Sequence, residues 1–348
     1  MRIAQTGLWH HGGMDLWTLS DLCTPWCVHV VATLGIADQI LEGNAEIGPL
    51  AVAAGADRDS LHRVLRHLVS KGLFEETAPG RFALNEAARG LLEEGVRLGL
   101  DLEGIGGRMA HAWGTLLSAV RSGKPAYHEA FGRGFWEDLE AHPEVAASFD
   151  ALMGTAGHGV PDWHVLADEA GWESVRTVVD VGGGTGALLA EILRARPEVR
   201  GTLVDLPHVV ARSSEIFQAA GVAYRVTTVA QSFFDALPGG RDLYIVKNVL
   251  GDWGDGEATA ILRRCAEAAC PSGGAVVFSG TGPGEEASPE LLMMVLVGGR
   301  GRTLDELREM AREAGLEVKA VGRQASGRVM VECRPRLKST PAPAGGVG

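Results

Sequence analysis

Residues 178–186 read VVDVGGGTG and run at once into ALLAEILRAR at 187–196. The β-branched run Thr177–Val181 predicts a buried strand, and the periodic apolar residues after Gly186 predict a helix. Between them, Gly182, Gly183, Gly184 and Gly186 let the backbone turn sharply and let a ligand approach closely, while the next helix offers free N–H groups. The strand end of an open α/β sheet is also where ligands bind. Asp205 closes the following strand, 23 positions after Gly182, where its carboxylate can accept hydrogen bonds from ribose hydroxyls. The spacing Gly182-x-Gly184-x-x-Ala187 also satisfies a dinucleotide fingerprint, so it does not choose the nucleotide by itself. Asp180, two residues before the first glycine, suits a cationic ligand better than a pyrophosphate. Together with a helical region in front that could cover a substrate, it favours S-adenosylmethionine.

Outward from this loop, Gly201–Val204, Leu243–Val246 and Ala275–Phe278 read as further buried strands, with helices around 187–196, 207–220 and 255–269. That alternation predicts a parallel α/β sheet. The chain has 348 residues, 46% hydrophobic and 22% charged, with a formal net charge of −12. This length suggests two domains and allows a sizeable core. The acidic balance argues against sequence-independent nucleic-acid binding. No apolar run approaches a membrane span. The first residues, MRIAQTGLWHHGGMDLW, lack the apolar core of a signal peptide, so a cytoplasmic location is expected. The five cysteines (23, 27, 265, 270 and 333) form no CxxC pair. Cys23 and Cys27 stand one helical turn apart with no neighbouring histidine or carboxylate in that reading, so no metal is expected.

Residues 15–42 read as one or two helices with a broad apolar stripe, which a partner subunit would cover. Residues 47–85 read as a winged helix: a helix Pro49–Ala54, a helix carrying Leu61, Val64, Leu65 and Leu68 capped by Asp57 or Asp59, then strands Leu73–Glu76 and Arg81–Leu84. Residues 50–90 hold six Lys/Arg (58, 63, 66, 71, 81, 89) against five Asp/Glu (57, 59, 75, 76, 86). A net of +1 is weak for a phosphate-contacting surface, and a dimerisation role is favoured over DNA binding. Residues 100–170 are helical and aromatic, and the stretch after Cys333 is expected to be a disordered tail.

The segments VVDVGGGTG, GTLVDLPHVV, SFFDALPGGRDLYIVKNVLGDW, ILRRCAEA and MMVLVGGRGRTLDELREMAREAGL resemble the small-molecule O-methyltransferases of the caffeic-acid type, over roughly residues 15–333. Within that family the resemblance is to bacterial natural-product enzymes that methylate aromatic acids. It implies a Rossmann-like class I methyltransferase domain preceded by a mostly helical winged-helix dimerisation domain. The implied boundaries are 1–172 for dimerisation and substrate covering, 173–333 for cofactor binding and 334–348 for the tail. It implies a homodimer using S-adenosylmethionine, held by Asp180, Gly182, Gly184, Gly186, Asp205, Leu206, Ser232, Phe233 and Lys247. Ser232 replaces an aspartate often found before the Phe pair. The implied substrate contacts are Trp136, Phe149, Met153, Trp253 and Met294.

The catalytic centre departs from that pattern. Gly251 stands where the family's His-Asp-Trp triplet has histidine, Ser279 where a strand-ending carboxylate is usual, and Gly301 where a glutamate is usual. Asp252 and His158 are the replacement candidates. A positioned base contributes ~10²–10⁴-fold, whereas alignment of two reactants is worth an effective molarity of ~10⁵–10⁸ M. The expectation is therefore methyl transfer by alignment in a dry pocket, with both candidates dispensable. Loss of the reaction, with the cofactor loop kept for other chemistry, is the alternative, as is a winged-helix regulator. The substrate is expected to be a small aromatic hydroxy acid, free or carrier-protein-bound, with Arg300 and Arg302 as a basic contact for an acidic carrier.

Overall fold

The computed structural model describes residues 16–280 and 288–336, so the expectations for 1–15 and for 337–348 lie outside the described residues. By packing, the chain divides into two compact units, Met1–Arg108 and Met109–Gly348. The helices between 109 and 158 thus group with the α/β sheet, although their expected role placed them with the N-terminal part.

The first unit packs helices Cys23–Thr33, Ile36–Leu41, Ile47–Ala53 and Arg58–Ser70 around a small core that includes Val31, Ile36, Leu50, Leu65 and Leu68. A hairpin of β1 (Glu75–Ala78) and β2 (Arg81–Ala83) forms the wing. Asp57, rather than Asp59, is the cap: its Oδ1 accepts from the Ser60 amide at 2.9 Å. The first wing strand begins later than expected because Phe74 adopts φ 73°, which ends the preceding turn and buries the ring. Three of the six basic residues weighed for DNA contact are paired with acids, Arg58 with Asp59 at 3.3 Å, Lys71 with Asp21 at 3.7 Å and Arg81 with Glu46 at 3.2 Å.

The second unit is built on a seven-stranded sheet of β3 (Thr177–Val181), β4 (Arg200–Asp205), β5 (Val226–Ala230), β6 (Leu243–Val246), β7 (Ala275–Gly280), β8 (Leu316–Arg323) and β9 (Val329–Pro335). Its order is β5-β4-β3-β6-β7-β9-β8; β3 to β7 pair in parallel, and β9 runs antiparallel to both β7 and β8. Central strands β3, β6 and β7 are buried almost throughout, as continuous apolar runs require when helices cover both faces. One face packs on Asp255–Ala269 and Leu304–Glu313, the other on Ala187–Ala195. β9 extends through Pro335, so the start of the expected tail is a sheet strand.

Five helices, Leu116–Ser122, Tyr127–Phe131, Phe135–Ala141, Pro143–Met153 and Thr155–His158, precede the sheet in the same unit. No helix among the described residues is long and apolar enough to cross a membrane.

Candidate active site

The crossover between β4 and β6 sides of the sheet leaves a crevice at the carboxyl end of β3, and the glycine loop fills its rim. Its glycines have different reasons. A Cβ at Gly182 would lie 2.8 Å from Val249, at Gly183 2.5 Å from the Asp180 carboxyl, and at Gly186 2.3 Å from Phe217. Gly184, at φ +60°, would meet nothing within 4 Å. Three positions are therefore glycine because the loop is packed from behind, and Gly184 marks the side open to a ligand.

Asp205 Oδ2 accepts from the Gly184 amide at 2.8 Å and its Oδ1 from the Leu206 amide at 2.7 Å. Each oxygen keeps a second lone pair for a diol. Burial raises the Asp205 carboxyl, and these two amides oppose that. Asp180 is fully buried at the end of β3, and its Oδ2 has no hydrogen-bond partner. Burial first, and then the Asp205 charge, push its carboxyl up to about 7; the Lys247 ammonium works the other way. An orphaned carboxylate in a buried crevice fits a ligand that brings its own positive charge. Lys247 donates to the Asp162 carbonyl at 3.2 Å, and burial lowers its ammonium pKa. Ser232 is occupied locally, its Oγ accepting from the Phe234 amide at 3.2 Å.

Aromatic side chains lead away from the loop. The Phe233 ring lies 3.4 Å from where a Gly182 Cβ would be. Phe233 meets Trp253 edge-on at 5.8 Å, and Trp253 stacks on Trp136 at 6.2 Å and 15°. Trp136 in turn packs edge-on against Phe149 at 5.9 Å, and its buried indole nitrogen has no hydrogen-bond partner. The structure thus brings Phe233, Trp253, Trp136 and Phe149 into one continuous wall. Met294 is half-buried on the Ser288–Val297 helix, whereas Met153 is 47% exposed.

The three substituted family positions are engaged structurally. Ser279 Oγ accepts from the Asn248 amide at 2.9 Å, the Gly301 amide donates to Glu290 at 3.1 Å, and a Cβ on Gly299 would lie 2.1 Å from the Gly251 carbonyl oxygen. His158 is exposed, with Nδ1 2.6 Å from the Leu152 carbonyl, so one ring nitrogen is already in use at the end of its short helix. Asp252 differs. It sits in the single turn Leu250–Asp252 after β6, and no side-chain hydrogen bond or ion pair reaches its carboxylate among the described residues. Burial alone pushes that carboxyl up to about 7.

Sequence reasoning missed what holds this turn. Arg302, expected to face an acidic carrier, is instead 3% exposed. Its guanidinium donates to the Leu250 carbonyl at 2.6 Å, the Trp253 carbonyl at 2.7 Å and Asp255 at 2.9 Å. A side chain saturated by buried backbone acceptors cannot also serve a docking partner. Arg300 is exposed but paired with Asp255 and Glu306. Asp150, next to Phe149, was also passed over: it pairs with Arg212 at 2.6 Å and its carboxyl, raised to about 6 by burial, senses Asp205. Nothing in the local sequence marks either contact.

A seven-stranded sheet with one antiparallel strand next to its edge, a glycine loop at the end of β3, an acid at the end of β4 and a buried orphan carboxylate make this crevice a candidate nucleotide-cofactor site. Residues 113–317 match the model of the O-methyltransferase domain, and residues 17–94 that of the O-methyltransferase dimerisation domain. The chain belongs to the O-methyltransferase family, and S-adenosylmethionine is its cofactor. It is 41% identical over 312 residues to the 2,7-dihydroxy-5-methyl-1-naphthoate 7-O-methyltransferase of Streptomyces carzinostaticus, covering 88% of this chain and 93% of that one. It is 38% identical over 310 residues to aclacinomycin 10-hydroxylase RdmB of Streptomyces purpurascens, covering 86% and 82%. The crystal structure of NcsB1 from neocarzinostatin biosynthesis, in complex with S-adenosylmethionine and 2-hydroxy-5-methyl naphthoic acid, superposes with a TM-score of 0.87 at 39% identity, covering 94% of this chain and all (100%) of that one.

Proposed function

We propose that the enzyme methylates a hydroxyl of a fused-ring aromatic hydroxy acid of the naphthoate kind, with Asp252 accepting the hydroxyl proton. The observation that carries this reading is the unpartnered Asp252 carboxyl, raised to about 7, on the turn that also presents Trp253 to the aromatic wall. A base works best when its pKa lies near the operating pH, and this one is set there by burial alone. His158, tied to Leu152 and exposed, is the weaker candidate.

When bound, S-adenosylmethionine supplies an electrophilic methyl on a cationic sulfur that leaves as a neutral thioether. Asp180 would face its positive charge, Asp205 its ribose, and Phe233 its adenine. Lys247, beside Asp180 and Asp162, would reach its carboxylate. Trp136, Phe149 and Trp253 hold a flat substrate and exclude water, and Met294 and Met153 extend the wall. The Trp136 indole N–H is left to donate to the substrate's own carboxylate or ring oxygen. Arg302 keeps the Asp252 turn in place by gripping the carbonyls on both sides of it. Two lost carboxylates and a lost histidine leave Asp252 to do what the usual set does together.

The reaction runs in the cytoplasm, on the free acid, in a homodimer joined through the N-terminal unit, whose Leu16, Trp17, Leu19 and Leu22 are exposed. A carrier-bound substrate would rest on Arg300 alone, since Arg302 is enclosed. One observation favours a second reading: the family's three catalytic positions are all substituted here, and RdmB carries the name of a hydroxylase. In that reading the cofactor is kept and no methyl is transferred.

A thermal-shift comparison tests the cofactor. S-adenosylhomocysteine at about 100 times its Kd is expected to add ~2.7 kcal/mol and raise Tm by several degrees, while NAD leaves it unchanged. A shift with NAD alone would overturn the assignment.

A further inference from the structure

Away from the methyl-transfer site, the N-terminal unit gathers a second set of reactive side chains. Cys23 and Cys27 stand one turn apart on the Cys23–Thr33 helix, with their sulfurs 3.9 Å apart. The Arg58–Ser70 helix crosses at this point and brings His67 to them. One ligand atom from each of Cys23, Cys27 and His67 lies within 4.8 Å of the others, so the histidine that the linear sequence lacked is supplied by the fold.

The donor set and its spacing are informative. Two sulfurs bound to one tetrahedral ion, at metal–sulfur bonds of ~2.3 Å, lie ~3.8 Å apart. That matches the observed separation of the two sulfurs, which share one helix. Two thiols and an imidazole, with no carboxylate among the three, select a borderline-soft ion over magnesium or calcium. The surroundings are those of a held ligand. The Thr24 hydroxyl lies 2.9 Å from His67 Nε2 and 2.5 Å from Asp21, so the imidazole is oriented through a hydroxyl to a carboxylate. Asp21 also accepts from the Cys23 amide at 2.8 Å, fixing the start of the helix that carries both sulfurs. Lys71 lies 3.7 Å from Asp21 and balances that charge. Cys23 is exposed and Cys27 half-buried, which leaves one coordination position open to water.

We propose that Cys23, Cys27 and His67 bind one zinc ion, with water as the fourth ligand, pinning the first long helix of the dimerisation unit to its winged-helix core. The proposed methyl transfer uses none of these residues.

The test uses the full-length protein under reducing conditions. After incubation with Zn(II) and dialysis, metal content is measured by mass spectrometry; in parallel, Co(II) loading is followed by its visible and thiolate charge-transfer absorption. One metal per chain and a tetrahedral sulfur–nitrogen cobalt spectrum are expected. Cys23→Ser, at an exposed position that leaves the fold intact, and His67→Gln are each expected to weaken retention tenfold or more, by ~1.4 kcal/mol. Three results would each overturn the proposal: no metal held by the reduced wild type, retention by Cys23→Ser and Cys27→Ser equal to that of the wild type, or a cobalt spectrum without sulfur bands.

Discussion

Asp252→Asn is expected to lower kcat by ~10²–10⁴-fold, the range over which a positioned base contributes. A phenol of pKa ~10 is ionised about one part in a thousand at pH 7, so a carboxylate beside it has that much to supply. In the wild type, log kcat should rise with unit slope as pH approaches about 7 and level off above it, because only the ionised Asp252 accepts a proton. In the asparagine variant the levelling-off near 7 should vanish, and the residual rate should keep rising with hydroxide. Saturation by S-adenosylmethionine should change far less than kcat, since Asp252 is assigned to the substrate's proton and not to a cofactor contact. A loss of less than tenfold, with the limb intact, would return the mechanism to alignment alone.

The second large effect concerns Asp180. Its carboxyl is buried without a partner and raised to about 7 from 3.8. Asp180→Asn is expected to weaken S-adenosylmethionine binding by roughly 30-fold or more, the loss typical of removing one partner of a buried charged pair. The same substitution should change how the empty protein responds to pH. A raised carboxyl means that the native state holds more protons than the unfolded chain between about 4 and about 7, so stability falls as pH rises through that window. The variant should lose that slope, giving a melting temperature closer to constant across it. Binding must ionise Asp180 below about pH 7, so calorimetry in two buffers of different ionisation enthalpy should show proton release there and none at pH 9. Unchanged affinity in the variant would remove Asp180 from the cofactor site.

The pattern of what the sequence disclosed follows from the physics of each element. β3, β4, β6 and β7 were readable because buried parallel strands are continuous β-branched runs, and the glycine loop because backbone conformation limits the choice of residue. β5, reading VTTVA with three of its five residues exposed, has no such run. β8 alternates along the opposite edge, and β9 was mistaken in part for tail because its last residues pair only at the sheet margin. The family resemblance named segments for the site but not the contacts that hold their side chains. Arg302, expected at a carrier contact, is instead enclosed by the carbonyls of the turn at Leu250–Trp253. Asp150 and Arg212, and likewise Cys27 and His67, are far apart in sequence and meet only through helix packing. Local reading therefore identified the conformationally restricted glycine loop and missed side chains whose roles depend on a distant partner.

Gly251, Ser279 and Gly301 remain the features that set this chain apart from its family's usual catalytic pattern, and each makes a close packing or hydrogen-bond contact within the protein. The most direct test of methyl transfer is the fate of a labelled methyl. Incubation with S-adenosylmethionine carrying a trideuterated methyl and a hydroxynaphthoic acid should give a product bearing one such methyl on oxygen, with stoichiometric S-adenosylhomocysteine. A product that gains an oxygen atom and no label would contradict the account and place the chain with the hydroxylase reading.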